Sequence, residues 1–182
     1  MQSLSQIISW IAVNPWLTIL SFILTLFSLF LAIFFYLKGK RSKMPCYTKR
    51  SINIFRNFVS KIEHLKIIYF NQQIENLTIT KILFWNRGYE TINRLDIPQL
   101  DPLTIRVKNG LEILDAKIIY MNNPANQFSL IFSDDISYIT LEFDYVDKDE
   151  GAIVQVMHTG TSESDVQISG TIKGAGKLKH KP

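Results

Sequence analysis

Leu103 to Ile119 reads LTIRVKNGLEILDAKII, and this stretch decides the fold class. Leu103, Ile105 and Val107 fall on one side of an extended chain while Thr104, Arg106 and Lys108 fall on the other, the period-two pattern of a strand with one buried face. Asn109-Gly110 breaks the run, and a second apolar run, Leu111 to Ile119, follows. An Asn-Gly pair between two such runs is the strongest two-residue hairpin signal, because both central residues of a type I′ turn need positive φ. The spacing predicts a hairpin here.

The same pattern recurs outward in both directions. Leu65 to Phe70, Leu77 to Trp85, Phe128 to Phe132, Ser137 to Tyr145, Ala152 to His158 and Val166 to Ile172 are short runs rich in β-branched and aromatic residues. In one of them Ile139, Leu141, Phe143 and Tyr145 alternate with Tyr138, Thr140, Glu142 and Asp144. Asp134-Asp135 and Asp147 to Gly151 are predicted as further hairpin loops. About eight strands without a long helix-period pattern between them predict an all-β domain, an antiparallel β-sandwich. Residues 51–64 fit either a short helix or an edge strand, and the basic tail from residue 174 is expected to be disordered.

Ahead of this domain lies a different kind of chain. Trp16 to Leu37 (WLTILSFILTLFSLFLAIFFYL) contains no ionisable group except Tyr36. At roughly 1.5 Å per residue its 22 positions give a helix of roughly 33 Å, enough to cross a bilayer core of roughly 30 Å. Asn14-Pro15 is a good helix start, with Asn as cap and Pro at the first helical position. The first basic residues follow the span, in Lys38, Lys40, Arg41 and Lys43, so the positive-inside rule predicts a cytoplasmic C-terminal domain, an extracytoplasmic N-terminus and insertion in the cell inner membrane. A cleavable signal peptide is the rival reading; it wants a basic start, a shorter apolar run and a small-residue cleavage site. Leu4, Ile7, Ile8 and Ile11 suit a short interfacial helix over residues 1–14, or a frayed extension of the span.

Within the span, Thr18, Ser21, Thr25, Ser28 and Ala32 recur at three- and four-residue intervals and so share one stripe. Small residues let helices approach closely in lipid, which predicts a self-association seam and a homo-oligomer; the alternative is that the hydroxyls bond only carbonyls of their own helix.

Charge divides the rest. Residues 38–66 carry a net +8, residues 67–172 a net −8, and the tail from Lys173 adds four lysines. The basic run Lys38, Lys40, Arg41 and Lys43 is expected to face anionic lipid headgroups. Nucleic acid is a poor partner for an acidic folded part. Cys46 is the only cysteine, so no intrachain disulfide forms, in keeping with a reducing compartment. Asn76-Leu77-Thr78 has the form of a glycosylation acceptor but falls in a predicted strand and is read as chance. The expected organisation is an interfacial segment (1–14), a transmembrane helix (15–37), a basic linker (38–64), the sandwich (65–173) and a basic tail (174–182).

Three motifs invite chemistry, and each has a structural counterpart. Phe84-Trp85-Asn86-Arg87-Gly88, followed by Asp96, fits a pocket at a sheet end or a core Trp leading into an Asn turn. His158-Thr159-Gly160-Thr161-Ser162 sets a histidine among hydroxyls, but no nucleophile elbow or paired metal-ligand spacing accompanies it. Asp144, Asp147, Asp149 and Glu150 lack the spacing of an EF-hand loop and read as a solvated turn. Trp85, Asn86, Arg87, Asp96 and His158 are therefore the candidate ligand or partner residues, and neither metal nor cofactor is expected.

These motifs, with Asp101-Pro102-Leu103, Ile113-Leu114-Asp115-Ala116, Phe143-Asp144-Tyr145, Asp147-Lys148-Asp149-Glu150-Gly151 and Gly170-Thr171-Ile172-Lys173-Gly174, resemble an uncharacterised family of small bacterial single-pass membrane proteins with a cytoplasmic β domain. The resemblance implies that architecture and no activity. A looser similarity of architecture joins the chain to antiphage effectors that couple membrane spans to a ligand-binding β-barrel, although those usually have two spans. The resulting expectation is a non-enzymatic interaction or sensing module held at the membrane. A ligand- or partner-gated effector that perturbs the bilayer through helix self-association is the alternative, and a membrane-tethered hydrolase using His158 is a third.

Overall fold

The computed structural model describes residues 9, 15–39, 42–56, 66–134 and 137–181. It divides into two compact units, residues 1–41 and 42–182. Residues 1–8 and 10–14, which hold most of the expected interfacial segment, lie outside the described residues, as do Lys40, Arg41 and residues 57–65.

The first unit carries α1, Pro15–Gly39, 25 residues and roughly 38 Å long. Its stretch Pro15–Tyr36 is long and apolar enough to cross a membrane. Its hydroxyls are used locally: Ser21 Oγ donates to the Thr18 carbonyl, Thr25 Oγ1 to that of Ser21 and Ser28 Oγ to that of Thr25, each at 2.8 Å. Such back-bonding satisfies a hydroxyl in lipid without a partner helix.

The second unit is the predicted β-sandwich. Its strands in chain order are β1 (Pro45–Arg56), β2 (Ile68–Tyr69), β3 (Gln72–Gln73), β4 (Asn76–Asn86), β5 (Ile92–Asn93), β6 (Thr104–Val107), β7 (Ile113–Met121), β8 (Ser129–Phe132), β9 (Tyr138–Glu142), β10 (Tyr145–Val146), β11 (Gly151–His158), β12 (Val166–Ser169), β13 (Thr171–Ile172), β14 (Gly176–Lys177) and β15 (Lys179–His180). The count exceeds the predicted eight because short two-residue arms accompany the longer strands. A five-stranded sheet runs β15-β1-β4-β11-β7 and a four-stranded sheet β12-β6-β9-β8; the pairs β10-β5, β13-β14 and β2-β3 complete the unit. The core lies between the two larger sheets. Ile82 and Phe84 of β4 with Val154 and Val156 of β11 meet Leu103, Ile105, Ile139 and Leu141 from β9, β6 and the residue before β6. Phe84 stacks on Phe143 at 5.6 Å between ring centres.

Four expectations are corrected here. Asn109-Gly110 turns the chain as predicted, with Gly110 at φ +81°, but it does not close a hairpin: β6 pairs with β9 and β12, whereas β7 pairs with β11. The turn carries the chain from one sheet to the other, because both strands bury one face in the same core and must do so from opposite sides. The Asp147–Gly151 loop likewise leads from β10, which pairs with β5, to β11 in the large sheet. The strands on either side of Asp134-Asp135, β8 and β9, do pair antiparallel, although Asp135 itself lies outside the described residues. Residues 45–56 are not linker but β1, whose partner on one side is β4 along its whole length. On its other side, among the described residues, only Cys46 and Tyr47 are paired, by β15, so residues 51–56 are an edge strand, one of the two forms expected for 51–64. Finally the tail is ordered through residue 181: β15 runs parallel to β1, Lys181 N–H donates to the Tyr47 carbonyl at 2.8 Å, and the His180 ring lies 5.1 Å from that of Tyr47.

Candidate functional site

The structure separates the predicted site residues. Trp85 and Asn86 are consecutive in β4 and point to opposite faces; Arg87 is exposed in the following loop. His158 closes β11 opposite Thr78, at the other end of β4. Seven residue steps along the strand, about 23 Å, separate Thr78 from Trp85. No single pocket unites the five.

At the first end Asn86 is fully buried and uses its whole amide. Its Oδ1 accepts from Met44 N–H (3.2 Å) and Gly88 N–H (2.9 Å), while Nδ2 donates to the carbonyls of Glu90 (2.8 Å) and Val146 (3.1 Å). Arg87 N–H donates to the Met44 carbonyl at 2.9 Å. Gly88 is required because a Cβ there would overlap the Ser42 carbonyl oxygen and come within 2.6 Å of Met44 N. Together these contacts clamp residues 42–44, the first of the unit, against the β4–β5 loop.

Lys43 completes the clamp, and it is corrected from its expected role in the lipid-facing run. Its ammonium lies 2.7 Å from Asp96 Oδ1 and 3.6 Å from Glu90 Oε1, with only 11% of the side chain exposed. Burial alone would lower the Lys43 pKa, but the hydrogen bond and charge of Asp96, backed by Glu90, outweigh it and raise the value. Asp96 responds in kind: burial pushes its pKa up, and the bonds from Lys43 and from Asn93 N–H bring it below the usual range. A lysine so engaged has its charge matched within the domain. The Lys38 side chain, Lys40 and Arg41 lie outside the described residues.

The acidic loop is a brace of the same end. Glu150 accepts from Asn123 Nδ2 and Asn126 Nδ2, both at 2.7 Å, and from Asp147 N–H at 3.1 Å. Burial raises its pKa, and these three donors more than reverse the effect. Thr91 hydrogen-bonds Asp147, and Asn122 Oδ1 accepts from Gly151 N–H at 2.8 Å. Among the described residues no cluster of His, Cys, Asp and Glu is arranged to hold a metal ion.

At the second end His158 is fully buried. Gly160 N–H donates to its Nδ1 at 3.1 Å, so the neutral ring carries its proton on Nε2, which donates to Thr80 Oγ1 at 2.7 Å. Thr80 shares a further bond of 2.6 Å with Ser51, and Thr78 Oγ1 accepts from Asn53 Nδ2 and donates to the Gly160 carbonyl. Burial lowers the His158 pKa against a weaker pull upward from Asp165. The ring therefore offers Thr80 a proton rather than a lone pair, the reverse of a general base beside its nucleophile. Asp165 caps the motif, accepting from Thr161 N–H, Ser162 N–H and Lys108 Nζ at 2.9 to 3.0 Å. Burial pushes its pKa up, and these donors drive it far below the ordinary aspartate value. Lys49 donates to the carbonyls of Glu163 (2.7 Å) and Val166 (2.6 Å), and burial lowers its pKa.

Beside this end an open groove of about 480 Å³ lies between Gln73–Asn76 and Gly110–Glu112. None of the predicted residues lines it.

Sequence reasoning missed one set of side chains. On the outer face of the five-stranded sheet the registers place Arg50 beside Lys81, Lys81 beside Gln155 and Gln155 beside Lys117. All three cations are exposed. They come from three strands, so no local spacing announces them; only the register brings them into one row.

Comparison with protein-family models and with curated proteins gives no match.

Proposed function

We propose that this is a single-pass membrane protein that holds its β-sandwich in the cytoplasm as a non-enzymatic interaction or sensing module. The observation that carries the reading is the state of the motifs. The buried Asn86 and His158 side chains and the Glu150 carboxylate are occupied by bonds within the fold, so recognition is left to the exposed faces. The apolar α1 supplies the anchor, and the basic residues that follow it in the chain support a cytoplasmic domain.

The back-bonded hydroxyls of Ser21, Thr25 and Ser28 favour the anchor over a gated, membrane-perturbing helix cluster. Replacing Ser21 and Thr25 together with Leu should therefore leave self-association of the full chain unchanged. Loss of association, with relief of toxicity on overexpression, would bring the effector reading forward.

Orientation is tested by a reporter fused after Pro182. Alkaline phosphatase should be silent there and a cytoplasmic reporter active, with the chain retained in membranes after an alkaline carbonate wash. An active phosphatase overturns the orientation, and release by carbonate overturns the anchor.

A further inference from the structure

We propose that the outer face of the five-stranded sheet is a docking surface for anionic lipid headgroups. The proposal rests on the reading of a membrane-anchored chain and adds to it the surface that meets the bilayer.

Arg50, Lys81 and Lys117 stand in one cross-strand row over β1, β4 and β7, with Gln155 of β11 filling the fourth place. Strand alternation turns these side chains away from the core, since their neighbours Ile82, Val154, Val156 and Ala116 are the buried ones. Lys43, Arg94, Lys108 and Lys148 each have a carboxylate within 4 Å. Among the described residues the three cations of the row have none. Arg50 and Lys81 are directly opposite each other, a placement in which like charges repel and weaken the sheet. An anion held above the row converts that repulsion into attraction.

The rows on either side are mainly apolar, apart from Asp115, which pairs with Met157 at the β7 edge, and Thr48, which pairs with Leu83 in β1. Ile52 pairs with Ile79 and Ile79 with Met157 on one flank; Leu83 pairs with Ile153 and Ile153 with Tyr120 on the other. Ile52 is 63% and Tyr120 56% exposed. Cations set between apolar side chains suit the headgroup boundary of a bilayer, where ammonium and guanidinium groups meet phosphate and carboxylate while their stems and the Ile and Tyr side chains meet the upper acyl region. The partner must also be flat and local. Residues 42–182 hold 17 basic and 16 acidic residues, a net of +1, so no broad positive field draws a polyanion round the domain, whereas a planar anionic surface touches only this face.

The test uses the full chain in lipid nanodiscs of phosphatidylcholine alone or with added phosphatidylserine, labelled briefly with acetic anhydride and read lysine by lysine by mass spectrometry. Labelling of Lys81 and Lys117 should fall roughly fivefold in the phosphatidylserine discs and recover at high salt, while the loop lysines Lys108 and Lys148 change less than about twofold. Equal labelling in both lipids overturns the docking and leaves the anchor standing. Equal protection in phosphatidylcholine alone overturns it in favour of a protein cover, a second copy of this chain or an acidic partner. Protection by soluble glycerophosphoserine as strong as that by phosphatidylserine discs overturns it in favour of a free anion. Failure of the chain to remain with the discs through gel filtration removes the anchor and the docking with it.

Discussion

The two ends of β4 use the same device with opposite sensitivity to protons. At one end the Asn86 amide bridges two N–H groups and two carbonyls, and no group in that set titrates. At the other the His158 ring bridges an N–H group and a hydroxyl. It does so only while neutral, because protonation puts a second donor against the Gly160 amide and a charge into a buried site. One end is a fixed rivet that ties down the first residues of the domain; the other is a rivet that acid loosens. Both look like candidate sites in sequence for the same reason: a polar residue that interrupts an apolar strand is rare unless it has something to bind, and here the partners are backbone groups and, for His158, the Thr80 hydroxyl.

The largest effects should come from the Asn86 end. Asn86→Ala leaves four backbone groups unpaired, one of them, Met44 N–H, in the segment that opens the domain, and should cost about 3 kcal/mol or more. Asn86→Asp should not rescue it, since a carboxylate has no donor for the Glu90 and Val146 carbonyls. Gly88→Ala should cost a similar amount by forcing Ser42 and Met44 away from the loop. Thermal unfolding of the full chain in detergent measures all three. If Asn86→Asp unfolds at the temperature of the parent, the amide is not the rivet it looks to be.

His158 should come second, and its signature is a slope. Its folded pKa is depressed, so the unfolded chain takes up a proton first as pH falls below about 6.5. Stability is then complete above about pH 6.5 and declines below it, at no more than about 1.4 kcal/mol per pH unit for one group. Below about pH 4 the depressed carboxylates Asp96, Glu150 and Asp165 take over, their contributions being lost as pH falls through their folded values. His158→Asn should cost about 2 kcal/mol at pH 7.5 and flatten the curve between pH 7 and 5. An unchanged slope in the variant would show that the acid-sensitive group lies elsewhere.

The contrast also explains what could be read in advance. Strands such as Ser137–Tyr145 announce themselves because Ile139, Leu141 and Phe143 are buried and the residues between them are not. β1 does not, because the side it turns inward carries Lys49, Ser51 and Asn53, whose polar heads are held by the Glu163 and Val166 carbonyls, Thr80 and Thr78. Hydropathy scores those as linker. Asn109-Gly110 fixes a turn but not the partner of the strands it joins, because pairing depends on which sheet has a vacant edge, and that is decided far away in the chain. The basic tail reads as disordered until Leu178 is seen packed on the core and β15 on β1. Asn86, Asp96 and His158 were legible as unusual residues; their roles were not, because each needs a distant partner, Met44 and Val146 for Asn86, Lys43 for Asp96 and Thr80 for His158, that sequence spacing does not bring near.

Ion pairs give the smallest effects and separate the clamp from the ordinary surface. Lys43 and Asp96 are both well covered, at 11% and 18% side-chain exposure, whereas Arg94 of the Arg94–Glu142 pair is 64% exposed. An exposed pair contributes little after side-chain entropy and solvent screening are counted, so Arg94→Ala should shift stability by less than about 0.5 kcal/mol. Lys43→Met removes the counter-charge of Asp96 beside Glu90, leaves a shielded carboxylate next to a second acid, and should cost about 1 kcal/mol. Because the pair holds the Asp96 pKa down, the Lys43→Met deficit should be present near pH 7 and shrink below pH 4 as Asp96 protonates. A deficit independent of pH would mean that Lys43 acts through the packing of its stem, and the clamp on residues 42–44 would then be the work of Asn86 and Gly88 alone.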